Sequence, residues 1–134
     1  MKDRFKFRVW DGEKMHYPYN VSFYDNDTWI AFGLNVNPVT GYGSEFEITH
    51  SNKGKLMACT GLKDRNGDLI WEGDLCNITF GMGITHENCE VKYIEDSGFR
   101  AVYTHPCGVK VNHSLTNNIV DVIGNIYEKP DLLT

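Results

Sequence analysis

Apolar residues in this chain recur at every second position and almost nowhere at helical spacing, which confines the chain to strands. Residues 2–10 show it most cleanly. Lys2, Arg4, Lys6, Arg8 and Trp10 share one parity, while Asp3, Phe5, Phe7 and Val9 share the other. Successive side chains of a strand point to opposite faces, so the segment predicts a strand with a basic face and an apolar face. Asp11-Gly12 then marks a turn. In residues 75–80, Cys76, Ile78 and Phe80 alternate with Asn77 and Thr79. Cys89, Val91 and Tyr93 alternate with Glu90 and Lys92. Phe99, Ala101 and Tyr103 alternate with Arg100, Val102 and Thr104. These last two runs flank Asp96-Ser97-Gly98 and make the strongest hairpin in the sequence. Shorter runs at 28–36, 45–49, 56–62, 69–71, 109–111 and 119–127 read as further strands, and 114–118 as a single helical turn. Many short strands at close spacing predict a mainly β sandwich or small barrel.

The 134 residues match one ordinary domain, long enough to bury a core without staples. With 41% hydrophobic and 23% charged residues, the composition excludes disorder. Residues 37–54 (NPVTGYGSEFEITHSNKG) are the one seam in the pattern. They divide an N-terminal β layer and loop (1–54) from a C-terminal barrel (55–134) within a single domain. The start, MKDRFKFRVW, has no apolar stretch of the kind a secretory signal needs. No apolar run approaches the roughly 18 residues of a spanning helix. The expected location is therefore the cytoplasm, away from the membrane, where Cys59, Cys76, Cys89 and Cys107 are thiols.

The stretch TGLKDRNGDLIWEGD (60–74) is the most site-like in the chain, with four carboxylates and three glycines. Asp64, Asn66 and Asp68 alternate like the first ligands of a calcium loop. Such a loop needs Gly at its sixth position and Glu at its twelfth, and here those positions are Leu69 and Leu75. The competing reading is a turn. Asn66-Gly67 suits a two-residue hairpin loop in which both residues take positive φ. Asp64 and Asp68 can bond nearby N–H groups, and Glu72-Gly73-Asp74 makes a second turn. The turn reading fits better.

The same region carries a family likeness. LMACTGLKDRNGDLIWEGDLC, the opening FKFRVWDGEKMHY and the closing VDVIGNIYEKPDLL stand in that order along the chain. Together they resemble the signature of the YopX-like proteins encoded by phages and prophages. The resemblance implies a mainly β chain with an SH3-type barrel in its C-terminal half, a phage or prophage origin and a bacterial host. It implies no reaction, because the matching residues are turn-formers and packing aromatics.

Other chemistry finds little support. His105, Cys107, His113 and Cys89 are the zinc candidates, yet no Cys-x-x-Cys occurs. Where a deaminase motif needs its last cysteine, Lys110 stands. A nucleophilic pair of Cys107 with His105 or His113 has no third group in view. Catalytic, metal and cofactor residues are therefore not assigned, and a non-catalytic binding module is expected, with a protein partner or a second copy as its ligand. The alternative is nucleic-acid binding through Lys2, Arg4, Lys6 and Arg8. On an extended strand these would stand about 6.6 Å apart on one face, with Trp10 able to stack a base. The net charge of −5 weighs against a binder that relies on bulk charge.

Overall fold

The computed structural model describes residues 6–25, 28–49 and 54–133. Their regular structure is twelve strands and 3-10 turns at Gly81–Gly83 and Pro130–Leu133, as the period-two pattern requires. No helix among them is long and apolar enough to cross a membrane. The chain divides into two compact units. One comprises the chain up to Lys6 and from Ala58 onward, and the other Phe7–Met57.

The second unit contains β1 (Phe7–Trp10), β2 (Met15–His16), β3 (Asn20–Phe23), β4 (Trp29–Val36) and β5 (Gly43–Thr49). β1 and β2 form a hairpin, and β3, β4 and β5 form an antiparallel meander. Its core is Val9, Ala31 and Ile48, with Val21, Trp29, Phe46 and Leu56 packed around them. Opposite Phe46 the sheet has Gly33, and a Cβ there would collide with the Phe46 ring. The Asp11-Gly12 turn closes β1 onto β2. One Asp11 oxygen accepts the N–H groups of Glu13 and Lys14 at 2.7 and 2.8 Å, and the other lies 2.6 Å from His16 Nε2.

β6 (Lys55–Lys63) runs from the second unit into the first, where β7 (Leu69–Trp71), β8 (Asp74–Phe80), β9 (Ile84–Ile94), β10 (Gly98–Thr104), β11 (Lys110–Ser114) and β12 (Ile119–Asn125) follow. Five of these make an antiparallel sheet in the order β11-β10-β9-β8-β12, and the curled sheets of the chain include a half-barrel. The expected hairpin is present in register, with Phe99 opposite Tyr93 and Ala101 opposite Val91. The core is Ile70, Cys76, Ile78, Cys89, Val91, Ala101, Leu115 and Val120. Cys76 and Cys89 face each other across β8 and β9 as small core hydrophobes. Burial raises both thiols well above the usual range, Cys89 to about 11. Of the run 114–118, Ser114 ends β11 and residues 115–118 form a bend rather than a helical turn. Ser114 Oγ accepts the N–H groups of Thr116 and Asn117 there, which satisfies the backbone without a helix.

The 60–74 stretch is scaffold. Thr60 Oγ1 donates to Ile70 O at 2.7 Å and accepts Leu62 N–H, spanning a bulge in which Gly61 takes φ 82. The turn that follows differs from the two-residue form. Gly67 N–H donates to Asp64 O and Asp64 N–H to Asp68 O, and only Gly67 has positive φ, at 86°. A type I turn closed by a left-handed glycine places Asp64 over the loop. Its carboxylate, only 7% exposed, accepts N–H from Asn66 at 2.9 Å and Asp68 at 3.0 Å. Its other oxygen accepts Val122 N–H at 3.1 Å, while Arg65 N–H donates to Val120 O. The loop therefore covers the outer edge of β12, which would otherwise lie open to aberrant pairing.

Two outcomes follow for stability. Asp64→Ala leaves three N–H groups without their acceptor and should cost about 2–3 kcal/mol in chemical denaturation. Asp64→Asn should cost less, because it keeps the oxygen that serves Asn66 and Asp68. An Asp64→Ala variant as stable as the parent would contradict this account. Asp11 sets an acid limit. The Lys14 N–H above all, with the His16 ring and the Glu13 N–H, holds its carboxyl at about 2 against an ordinary 3.8, despite partial burial. The unfolded chain therefore binds this proton first as pH falls. The stability that Asp11 supplies is complete above about pH 4 and is lost on the way down to about 2. Acid titration of Asp11→Asn should lack that component.

Candidate functional site

Of the residues proposed for the basic face, Lys6, Arg8 and Trp10 are described. Lys2 and Arg4 lie outside the described residues. Lys6 is exposed, and its carbonyl accepts Cys59 N–H at 2.9 Å. Arg8, one residue into β1, is only 4% exposed, and its neighbour Val9 is fully buried. Both parities of β1 are thus covered, and alternation along the strand does not create a solvent face at Arg8. Trp10 is half-buried at the β1–β2 hairpin, opposite Met15.

The histidines and cysteines separate into two groups. In the loop after β10, His105 Nδ1 lies 3.0 Å from Cys107 Sγ and also accepts Cys107 N–H at 3.2 Å. This pair is exposed, and His105 makes no side-chain hydrogen bond to a third residue among the described residues. His113 does not join it. His113 on β11 and His86 on β9 meet above β10, with Nδ1 of His86 2.9 Å from Nε2 of His113. The register explains the meeting. His86 lies opposite Ile78 and His113 opposite Ala101, so both rings lie on the core side of the sheet. A bulge lets His86 share this face with Cys89: β9 advances three residues, from Cys89 to His86, while β8 advances two, with Asn88 at φ 57. Tyr103 stacks on His86 at 4.0 Å and Phe80 on His113 at 5.1 Å. No three His, Cys, Asp or Glu side chains among the described residues are placed to hold a metal ion.

An exposed apolar surface lies elsewhere. Beyond Phe32, the β4–β5 hairpin leaves β3 behind and continues as a two-stranded ribbon in which every residue from 34 to 45 is exposed. Its two faces differ. Asn35 and Ser44 occupy one face. Leu34 (53% exposed) and Val36 (59%) occupy the other, opposite Glu45 and Gly43. Tyr42 stands at the tip, 81% exposed. The 28–36 run predicts a strand that includes Leu34 and Val36, and 37–54 a seam that includes Tyr42, with no binding face marked in either. The signal was there: TWIAFGLNV is apolar on both parities, more than one core can bury.

The profile of the family described as YopX protein matches residues 6–134. The chain belongs to the YopX family. It is similar to the crystal structure of YopX from Bacillus subtilis, at 25% identity and a TM-score of 0.65, over 98% of this chain and 99% of that one. It is also similar to a protein of Enterococcus faecalis, at 25% identity and a TM-score of 0.50, over 96% and 97% of the two chains. No curated protein matches it significantly.

In this YopX-family chain the motif residues work on the backbone. Asp74, 2% exposed, accepts Trp71 N–H at 2.7 Å. Gly73, at φ 87, donates to Val91 O and accepts Ile126 N–H, so one turn ties β9 to the end of β12. Asn125 accepts the N–H groups of Tyr127 and Glu128 and donates to Glu128 Oε1, which folds the closing GNIYE segment into a turn. These residues of the family signature thus act as staples.

The histidine pair gives a second pH test. Burial first, then His86 and Arg100, hold His113 below its ordinary 6.5. The unfolded ring takes up a proton that the folded ring resists, so stability is complete above about pH 6.5 and declines as pH falls through that value. His113→Phe keeps an aromatic ring against Phe80 and removes the titration. The fall in melting temperature between about pH 7.5 and pH 5.5 should shrink in that variant. An unchanged fall would show that His113 does not carry the acid sensitivity.

Proposed function

We propose that this YopX-family chain is a non-catalytic binding module of phage or prophage type, working in the cytoplasm of a bacterial host, and that it holds a protein partner on the β4–β5 ribbon. The phage setting rests on the sequence resemblance. The ribbon supports the binding role. A two-stranded hairpin is marginal in water by itself, and a solvated ribbon with one apolar face gains stability when that face is covered. Nucleic-acid binding through Lys2, Arg4, Lys6, Arg8 and Trp10 has less support, because Arg8 is buried and the chain carries a net charge of −5.

The test compares the parent with Leu34→Ser/Val36→Ser as bait in nuclease-treated bacterial lysate. Both changed residues are exposed, so the variant should melt at the parent temperature. Proteins retained by the parent should be absent from the variant. Retention that survives in the variant would contradict the ribbon. Retention that requires intact nucleic acid and vanishes in high salt would favour the basic segment.

A further inference from the structure

The charge around the ribbon identifies its occupant more closely, on the premise that the ribbon is the binding face. No lysine or arginine occurs between Lys14 and Lys53. That interval contains β3, β4 and β5 entire, and its only charged residues, histidines aside, are Asp25, Asp27, Glu45 and Glu47. On the apolar face the register sets Glu45 directly opposite Leu34 and Glu47 opposite Phe32. Directly opposed residues in an antiparallel pair have Cβ atoms roughly 5 Å apart. Both carboxylates are exposed, and neither pairs with a cation among the described residues. The face is therefore an apolar row bordered by two unanswered negative charges.

This arrangement discriminates among occupants. A second copy that meets this face with its own brings acidic groups and no lysine or arginine to answer Glu45 and Glu47. A polynucleotide or an anionic membrane surface is repelled. What remains is a protein segment that offers apolar side chains together with lysine or arginine. The backbone specifies its form. β3 pairs with β4 only from Trp29 to Phe32, and Tyr19 N–H donates to Phe32 O at the end of that ladder. Past Phe32, β4 has no strand neighbour on its β3 side among the described residues. An extended segment can continue the line of β3 along this edge, gaining backbone hydrogen bonds as added strands do. We infer that the ribbon docks an extended, basic and apolar segment of another protein beside residues 33–36. Its apolar side chains lie against Leu34 and Val36, and its lysines or arginines reach Glu45 and Glu47 with their stems over the apolar row.

The test uses the full chain and three fluorescein-labelled octapeptides, alternating valine with lysine, valine with glutamate, and serine with lysine, read by anisotropy. The valine–lysine peptide should bind and the other two should not. Glu45→Lys/Glu47→Lys should weaken it about tenfold or more and confer binding of the valine–glutamate peptide. Amide exchange at residues 33–36 should slow in the complex. Equal binding of the valine–lysine and valine–glutamate peptides overturns the charge assignment. If Leu34→Ser/Val36→Ser still abolishes that binding, the ribbon stays in place as the binding face. The inference also fails if no peptide binds at up to about 1 mM. Concentration-dependent dimerisation that Leu34→Ser/Val36→Ser abolishes would make a second copy the occupant, contrary to the inference.

Discussion

The Asp64 carboxylate is the interaction on which the first unit depends. It gathers N–H groups from its own turn and from Val122, 58 residues further along the chain. A strand at the margin of a curled sheet exposes donors and acceptors that water or another chain can claim. Here Asp64 and the Arg65 N–H occupy them on β12. Gly73 and Asp74 serve the neighbouring turn in the same way, joining Trp71, Val91 and Ile126. Buried carboxylates of this kind stabilise only when their hydrogen bonds are met, and those of Asp64 are met by backbone groups. That accounts for the charge of this stretch by its backbone hydrogen bonds.

Bulges then decide which side chains meet. A sheet of perfect register would keep His86 and Cys89 on opposite faces, because an odd separation along a strand reverses the side chain. The extra residue around Asn88 restores a common face and brings His86 to Tyr103 and His113 at the end of the core. Phe80 and Tyr103 pack against the core, and the two histidines share a hydrogen bond that needs at least one neutral ring nitrogen. The exposed His105–Cys107 pair belongs to the next loop, where the His105 ring meets the edge of Tyr103.

The two units differ in how they are held together. The first carries the signature turns at Asp64, Gly73 and Asn125. The second has a small core of Val9, Ala31 and Ile48 and extends a ribbon whose apolar face the rest of its own sheet does not cover. A surface of that kind suits recognition, because covering it releases water from apolar area without first unfolding anything. The absence of cations across the meander gives that surface a sign, and a sign narrows the chemistry of what can bind.

Much of the strand inventory was legible in the sequence. Period two, punctuated by Gly, Asn and Asp, places β4, β7, β8, β9, β10 and β12 within a few residues, because side-chain direction in a strand is a local property. The turns at Asp64 and at Gly73 were legible too, since glycine and aspartate act on backbone atoms close by. The short β2 and β3 were missed, lying in a region without clear alternation. Positions that depend on distant residues were not legible. Alternation made Arg8 part of a water-facing row, yet burial depends on what packs over a strand, and that lies outside the period. Asn66-Gly67 suggested one turn type, and the Asp64–Asp68 backbone bond selected another. Only the pairing of β9, β10 and β11 could bring His86 to His113. Only the early end of β3 could leave residues 34–45 in solvent. Local chemistry wrote the strands and turns, and long-range pairing decided which faces they cover.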